Sequence, residues 1–250
     1  MNTITMPTNL VDIYEAKLAD ARADFETKSR IKNFFAPDID PTLLELFFIY
    51  FNALGVNMTE PVESWISRAG TRCEELGKTE IGRALKLHAK HEANHHLMMI
   101  KDTKFLVDQW NRNHSLLLDV DQLLAHSKTP GINQYSQLHE DVIASNTPFG
   151  QLAIEYEIEM LSVRYGPQLI NQCIQVLGLS FVQGLTFLQD HVEIDVAHTT
   201  FNRNQLEQFV KQYPECVSDL VNAGTQALDA YATFINDCFE LAQSKLSGAK

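Results

Sequence analysis

The sequence predicts an all-α protein, on three observations. Apolar residues recur at helical spacing in almost every segment, the segments end at helix punctuation, and alternating strand patterns are nearly missing. With 250 residues, 45% of them hydrophobic and no long polar tract, there is apolar volume for one large helical domain over residues 1–250. Residues 1–39 read as an N-terminal extension helix.

Asp40-Pro41 places a capping acid before proline at the first helical position and opens a helix to about Leu54. The apolar run at residues 43–56 contains Glu45 and Asn52 and is too short for a bilayer, so it reads as a buried helix. Thr59 with Pro61 opens the next helix, which stops at Gly77, and Thr79 begins a long one reaching about Asn113. Residues 127–134, with Pro130-Gly131, read as the loop separating two helical halves of one domain. Thr147-Pro148 starts a helix expected to end before Gly166-Pro167, Ser180-x2-Gln183 reads as a capping box for the next, and a final helix follows Pro214.

A formal charge of -12 and a pI near 5.1 exclude general attraction to phosphate backbones or anionic membrane surfaces, so neither nucleic acid nor membrane is expected as a partner. Cys73, Cys173, Cys216 and Cys238 lack CxxC spacing and read as reduced thiols of a cytoplasmic protein. Residues 1–10 have neither the basic nor the apolar region of an export signal. A homodimer is the oligomer allowed for.

Two triplets carry the chemistry. His88-x3-Glu92-x2-His95 and His191-x3-Asp195-x2-His198 repeat histidine, acid and histidine at the same offsets. With 9 His and 32 acids, chance yields this triplet roughly 0.04 times in such a chain. At about 100° per residue the members of each set share one helix stripe. Ile81, Ala84, Leu85 and Met99 beside the first, and Phe187, Leu188 and Ile194 beside the second, turn both toward the core, whereas Lys86, Lys90, Asn94, Lys101 and Glu193 face solvent. Bare histidines and carboxylates are buried only against complementary groups, so the two halves should meet.

A third contribution is expected from the helix after Pro148. Glu159 shares a face with Leu152, Tyr156 and Val163 and is the expected bridging carboxylate. Glu155, one turn earlier, is the reserve, while Glu157 reads with Arg164 as the wet side. Glu60 and Glu63 are further acids within reach of the site. His91 and His96 flank the first triplet and read as neighbours of the ligands, and packing or exposure accounts for Tyr156, Tyr165 and Arg164.

Four imidazoles and three carboxylates without a thiolate suit redox-active iron or manganese and exclude zinc-finger and iron–sulfur sites. Two divalent ions against Glu92, Glu159 and Asp195 leave the centre slightly positive, which favours a small-molecule substrate bearing a carboxylate. Competing readings are a ferritin-like metal bundle, built on acid-x2-His in each half, and a zinc hydrolase using His91-Glu92-Ala93-Asn94-His95 as H-E-x-x-H. The second leaves His88 and the whole second triplet unused. A metal-free or haem-binding helical protein and an acidic interaction module need neither triplet.

At these residues the chain resembles the haem-oxygenase-like diiron oxidases and oxygenases, which share a fold with haem oxygenase and the TenA thiaminases. Their last core helix carries H-x3-D-x2-H, matched by His191, Asp195 and His198. Their middle core helix supplies a glutamate, matched by Glu159, and their first a glutamate and a histidine, matched by Glu92 and His95. Many members place the first glutamate seven residues before that histidine, where this chain has His88. The resemblance spans roughly residues 40 to 240. It implies a bundle of about seven core helices, two iron ions or manganese in one of the positions, and O2 as cosubstrate. It also implies oxidation of a small organic molecule such as an amino acid or fatty acid, by C–C cleavage, decarboxylation or N-oxygenation. The aromatic-rich segment with Phe47, Phe48 and Phe51 reads as core, with an apolar substrate channel as the alternative.

Overall fold

The computed structural model describes residues 10–248. The helices are α1 (Leu10–Lys28), α2 (Pro41–Thr59), α3 (Val62–Glu75), α4 (Thr79–Ala89), α5 (His96–Asn113), α6 (Val120–Leu124), α7 (Pro130–Ala144), α8 (Gly150–Leu177), α9 (Thr186–Gln212) and α10 (Val217–Ser247). Short 3-10 turns at Ile31–Phe35, Phe181–Gly184 and Pro214–Cys216 join some of them, and no strand occurs among the described residues.

Helix α2 starts as its sequence requires. The Asp40 carboxylate accepts from the Thr42 amide at 2.8 Å, ahead of Pro41 at the first position. Apolar on nearly every face, α2 lies in the core against α5 and α10, and even Glu45 is buried, paired to His114 Nε2 at 2.9 Å. The stretch Pro41–Glu75 does contain a window long and apolar enough to cross a bilayer, contrary to the length argument above; 72% of that window is buried inside the protein. Helix α10 packs on α1, α2, α7 and α8, and α8 lies along α9. All four cysteines are free and buried.

Five expectations need correction. The single helix from Thr79 to Asn113 is two helices: α4 ends at Ala89, residues 90–95 form a turn, and Asn94 adopts φ 68. Asparagine tolerates this left-handed conformation, so the chain redirects without glycine or proline. The first triplet is therefore not a helix stripe. Helix α8 does not stop before Gly166-Pro167 but runs to Leu177 with Pro167 inside it. Packing outweighs the lost amide there, because Gly166 lets α9 approach so closely that an added Cβ would sit 2.3 Å from Val192 Cγ2.

The loop before α7 ends at Thr129, since Pro130 is already its first helical residue. The Ser180 capping box does not form. Asp102 of α5 caps α9 instead, accepting from Thr186 Oγ1 at 2.7 Å and the Phe187 amide at 2.9 Å. Finally, Glu157 is buried, 1% exposed, and accepts from Tyr14 and Arg22 of α1, while Arg164 pairs with Glu26 at 2.6 Å. Helix α1 packs on α10. The export-signal reading falls almost entirely on residues outside the described ones.

Candidate metal centre

The two triplets meet. One ligand atom from each of His88, Glu92, Glu159 and His198 lies within 4.8 Å of the others, and so do atoms of Glu92, His95 and His191. Metal–ligand bonds of roughly 2.1 Å put opposite donors about 4.2 Å apart, so small side-chain adjustments would close either group on an ion. Glu92 belongs to both groups, a place the sequence reading reserved for Glu159.

The donors come from four places. His88 ends α4, Glu92 and His95 sit on the turn before α5, Glu159 is on α8, and His198 and His191 share one face of α9. The break at Asn94 thus serves the site, letting Glu92 and His95 turn inward from a segment too short to be one helical face.

Donor chemistry supports the fit of a metal. His88 Nε2, His95 Nδ1, His198 Nδ1 and Glu159 Oε1 are all buried without a hydrogen-bond partner. Yet they crowd one another and Glu92: His88 Nε2 is 2.9 Å from Glu159 Oε1 and 3.3 Å from Glu92 Oε1, His95 Nδ1 is 3.1 Å from Glu92 Oε2, and His198 Nδ1 is 3.4 Å from Glu92 Oε1. Nitrogens and oxygens crowded this closely, short of well-formed hydrogen bonds, are satisfied by shared protons or by a cation.

Neighbouring groups fix the tautomers. His191 Nδ1 lies 2.8 Å from the Phe187 carbonyl, which makes it the donor and leaves the Nε2 lone pair for the site. His88 Nδ1 lies 3.2 Å from Asn202 Oδ1, and Asn202 Nδ2 donates to Glu159 Oε2 at 2.7 Å, so one amide orients two candidate ligands. Ser162 Oγ donates to Asp195 Oδ2, and Asp195 Oδ1 is 3.4 Å from His198 Nδ1. Asp195 is in neither donor group but lines the adjoining cavity.

The electrostatics express a surplus of buried acid. Burial pulls His88 down, but Glu159 and Glu92 outweigh it and push the imidazole up to about 11. Burial would raise Glu92, yet His88 and His95 hold it well below the usual carboxylate range. Burial raises Glu159 and lowers His191, whereas Asp195 raises His198. The cluster demands positive charge, as protons on imidazoles or as metal cations in their place.

A cavity of about 130 Å³ opens on these acids. Glu92, Glu155, Glu159 and Asp195 line one side, and Phe25, Phe51, Tyr135, Phe187, Tyr231 and aliphatic side chains the rest, with no lysine or arginine among the described residues. A smaller apolar recess of about 30 Å³ continues it past Phe51 to Phe34, Phe47 and Phe48. Part of the aromatic segment of α2 therefore lines the cavity and its recess.

The remaining candidates lie elsewhere. Glu60 and Glu63 are exposed, and Arg164 is exposed on Glu26. His91 is exposed on the turn, outside both donor groups, which removes the helix that an H-E-x-x-H zinc site requires; its ring stands 5.6 Å from that of His198. His96 opens α5 and is not a donor in either group. Tyr156 is tied to Glu15 at 2.8 Å, and the Tyr165 ring lines the cavity with its hydroxyl held by Glu26. Asn202, Ser162 and Gln151 escaped the sequence reading, although Asn202, four residues beyond His198, continues the α9 stripe.

No protein-family model and no curated protein matches the chain. Among solved structures, the crystal structure of a domain of unknown function with a haem oxygenase-like fold, from Shewanella denitrificans OS217, matches with a TM-score of 0.67 at 18% identity, covering 96% of this chain and 92% of that one. The chain has the haem-oxygenase-like fold. At that identity the likeness speaks of fold alone, and it agrees with the all-α bundle that the sequence implied. What this haem-oxygenase-like bundle adds is the buried His/Glu cluster between α4, the turn before α5, α8 and α9.

Proposed function

We propose that the chain is a nonhaem diiron oxidase or oxygenase that uses O2 to oxidise a small organic substrate. The observation that carries this reading is the pair of donor groups sharing Glu92, with partnerless buried nitrogens and oxygen aimed between them. Mixed imidazole and carboxylate donors without thiolate suit iron, with manganese in one position as the variant. Iron ions bound there would supply the electrons that reduce dioxygen and the oxidising power delivered to a substrate in the cavity.

The chain's own residues do the rest. His88, Glu92, Glu159 and His198 hold one ion, and Glu92, His95 and His191 the other, with Asp195 the carboxylate next to His191 and His198. Asn202 keeps His88 and Glu159 in register, and the Phe187 carbonyl keeps His191 in the tautomer that presents Nε2. The apolar walls exclude water and take a substrate of modest size, since an engineered cavity of about 150 Å³ holds benzene. With no lysine or arginine lining the space, a substrate carboxylate would be received by the ions themselves.

Anaerobic loading of the full chain with Fe(II) tests the reading. We expect about two irons per chain and a transient visible absorption on adding O2. A chain that takes up no iron under those conditions overturns it, and iron oxidation without any organic product would favour the ferritin-like alternative.

A further inference from the structure

Glu155 lines the cavity but belongs to neither donor group, and it is 5% exposed. Its position is built rather than incidental. Gln151 Nε2 donates to Glu155 Oε1 at 2.5 Å, and the Gln151 amide is itself fixed by His139 Nδ1, with nitrogen and oxygen at 2.9 and 3.1 Å. His139 stacks on Trp65 with ring centroids 4.1 Å apart and planes 6° from parallel. The second Glu155 oxygen has no protein hydrogen-bond partner among the described residues, and the residue lines the cavity.

Two further polar groups face the same space. Tyr135, 3% exposed, and Tyr231 both line it, with rings 6.2 Å apart, and neither hydroxyl has a hydrogen-bond partner among the described residues. The charge of Glu155 acts directly on the Tyr135 hydroxyl, after burial the largest influence holding it protonated. An acid and two phenols thus line one apolar chamber, with no lysine or arginine among its described lining residues.

A carboxyl buried this way is satisfied by a ligand that brings positive charge and several N–H donors. An organic ammonium brings both, and the tyrosine rings and Phe51 offer the faces that attract it. An alcohol brings one donor and no charge. A free carboxylate at this end would be repelled by Glu155 and the acids of the cluster.

We infer that Glu155, Tyr135 and Tyr231 form an ammonium-binding station, so that the substrate of the proposed centre is a small amine with an apolar body. The assignment of that ligand as substrate rests on the diiron reading; the station itself does not. Burial, aided by Glu159 and Glu92 and opposed by His88 and then Gln151, pushes Glu155 up to about 8, and a bound ammonium would favour the ionised form.

Benzylamine and benzyl alcohol, matched in shape and differing in charge, provide the test. Calorimetric titration uses the full chain as purified and again after anaerobic Fe(II) loading. We expect benzylamine to bind about tenfold more tightly than the alcohol, Glu155→Gln to abolish that preference with iron uptake and helicity retained, and Tyr231→Phe to weaken amine binding about threefold. Equal binding of the alcohol, an amine preference surviving Glu155→Gln, or iron lost on that substitution, which would make Glu155 a ligand, each overturns the proposal. Should Glu155→Gln lose its helicity, the wild-type preference and Tyr231→Phe decide. An intact amine preference without iron uptake sinks the diiron reading and leaves the station; iron uptake without amine preference does the reverse.

Discussion

His139 has no exposed surface, and burial, opposed only by Gln151 and Glu140, pushes its imidazole down to about 4. The unfolded chain protonates a histidine near pH 6.5, so between about 6.5 and 4 the unfolded state binds the extra proton and the folded state does not. Stability from this residue is therefore complete above that window and is lost as pH falls through it, by about 3 kcal/mol at the bottom. Denaturant unfolding of the protein and of His139→Gln at pH 7 and pH 4.5 should show a pH loss smaller in the variant by an amount of that order; equal losses would mean that the imidazole titrates normally. At this scale the candidate donors were legible because two triplets of the same spacing stand out against chance. Asn202, Ser162 and Gln151 were not, since an amide or hydroxyl has no distinctive pattern until its partners are in place. Glu157 was misread because its partners are remote: Arg22 is 135 positions away, while Arg164 lies nearby along the helix.

Helix contacts set where the site's supports can yield. Gly131, at the start of α7, lies so close to α10 that an added Cβ would stand 2.3 Å from the Phe234 amide nitrogen and 2.4 Å from its Cα, whereas at Gly166 the obstacle is a methyl of Val192. Backbone cannot rotate away as a side chain can. Gly131→Ala should therefore destabilise by about 3 kcal/mol and Gly166→Ala by about 1, with Val192→Ala recovering most of the second loss only. Equilibrium unfolding in urea checks the order, and equal costs would contradict the contacts. The same packing explains which helix ends could be read. Asp40-Pro41 and Pro214 act locally and were legible, but α8 continues through Pro167 because α9 supports it, and the α4–α5 break depends on Asn94, a residue common inside polar helix faces. The cap of α9 comes from Asp102 on α5, 84 positions before Thr186, so no local motif could announce it.

Across the whole molecule, α1 is the member least evident from its sequence and closely joined to the helices that carry the candidate donors. Its Tyr14 and Arg22 bond to buried Glu157 of α8, its Glu15 accepts from Tyr156 of α8 at 2.8 Å and from Arg203 of α9 at 3.0 Å, and Gly224 of α10 leaves room for the Tyr14 hydroxyl. Helical periodicity together with the two triplets was enough to suggest the fold, because both act through short spacings. The docking of α1 spans hydrogen bonds up to 201 positions apart, which no short spacing announces. Arg22 is raised further above its ordinary value, with burial opposing and the bonds to Glu157 and Glu15 prevailing. Removing only the arginine strands a charge that is 1% exposed, which typically costs several times what the intact pair contributes. Arg22→Met should therefore lower stability by about 3 kcal/mol, while Arg22→Met with Glu157→Gln should recover most of that, since the amide strands no charge and still accepts from the Tyr14 hydroxyl. Urea unfolding of the two variants decides between roles for the pair. Recovery in the double variant makes it a device for placing α1, and continued loss makes its attraction a net source of stability for the bundle around the cluster.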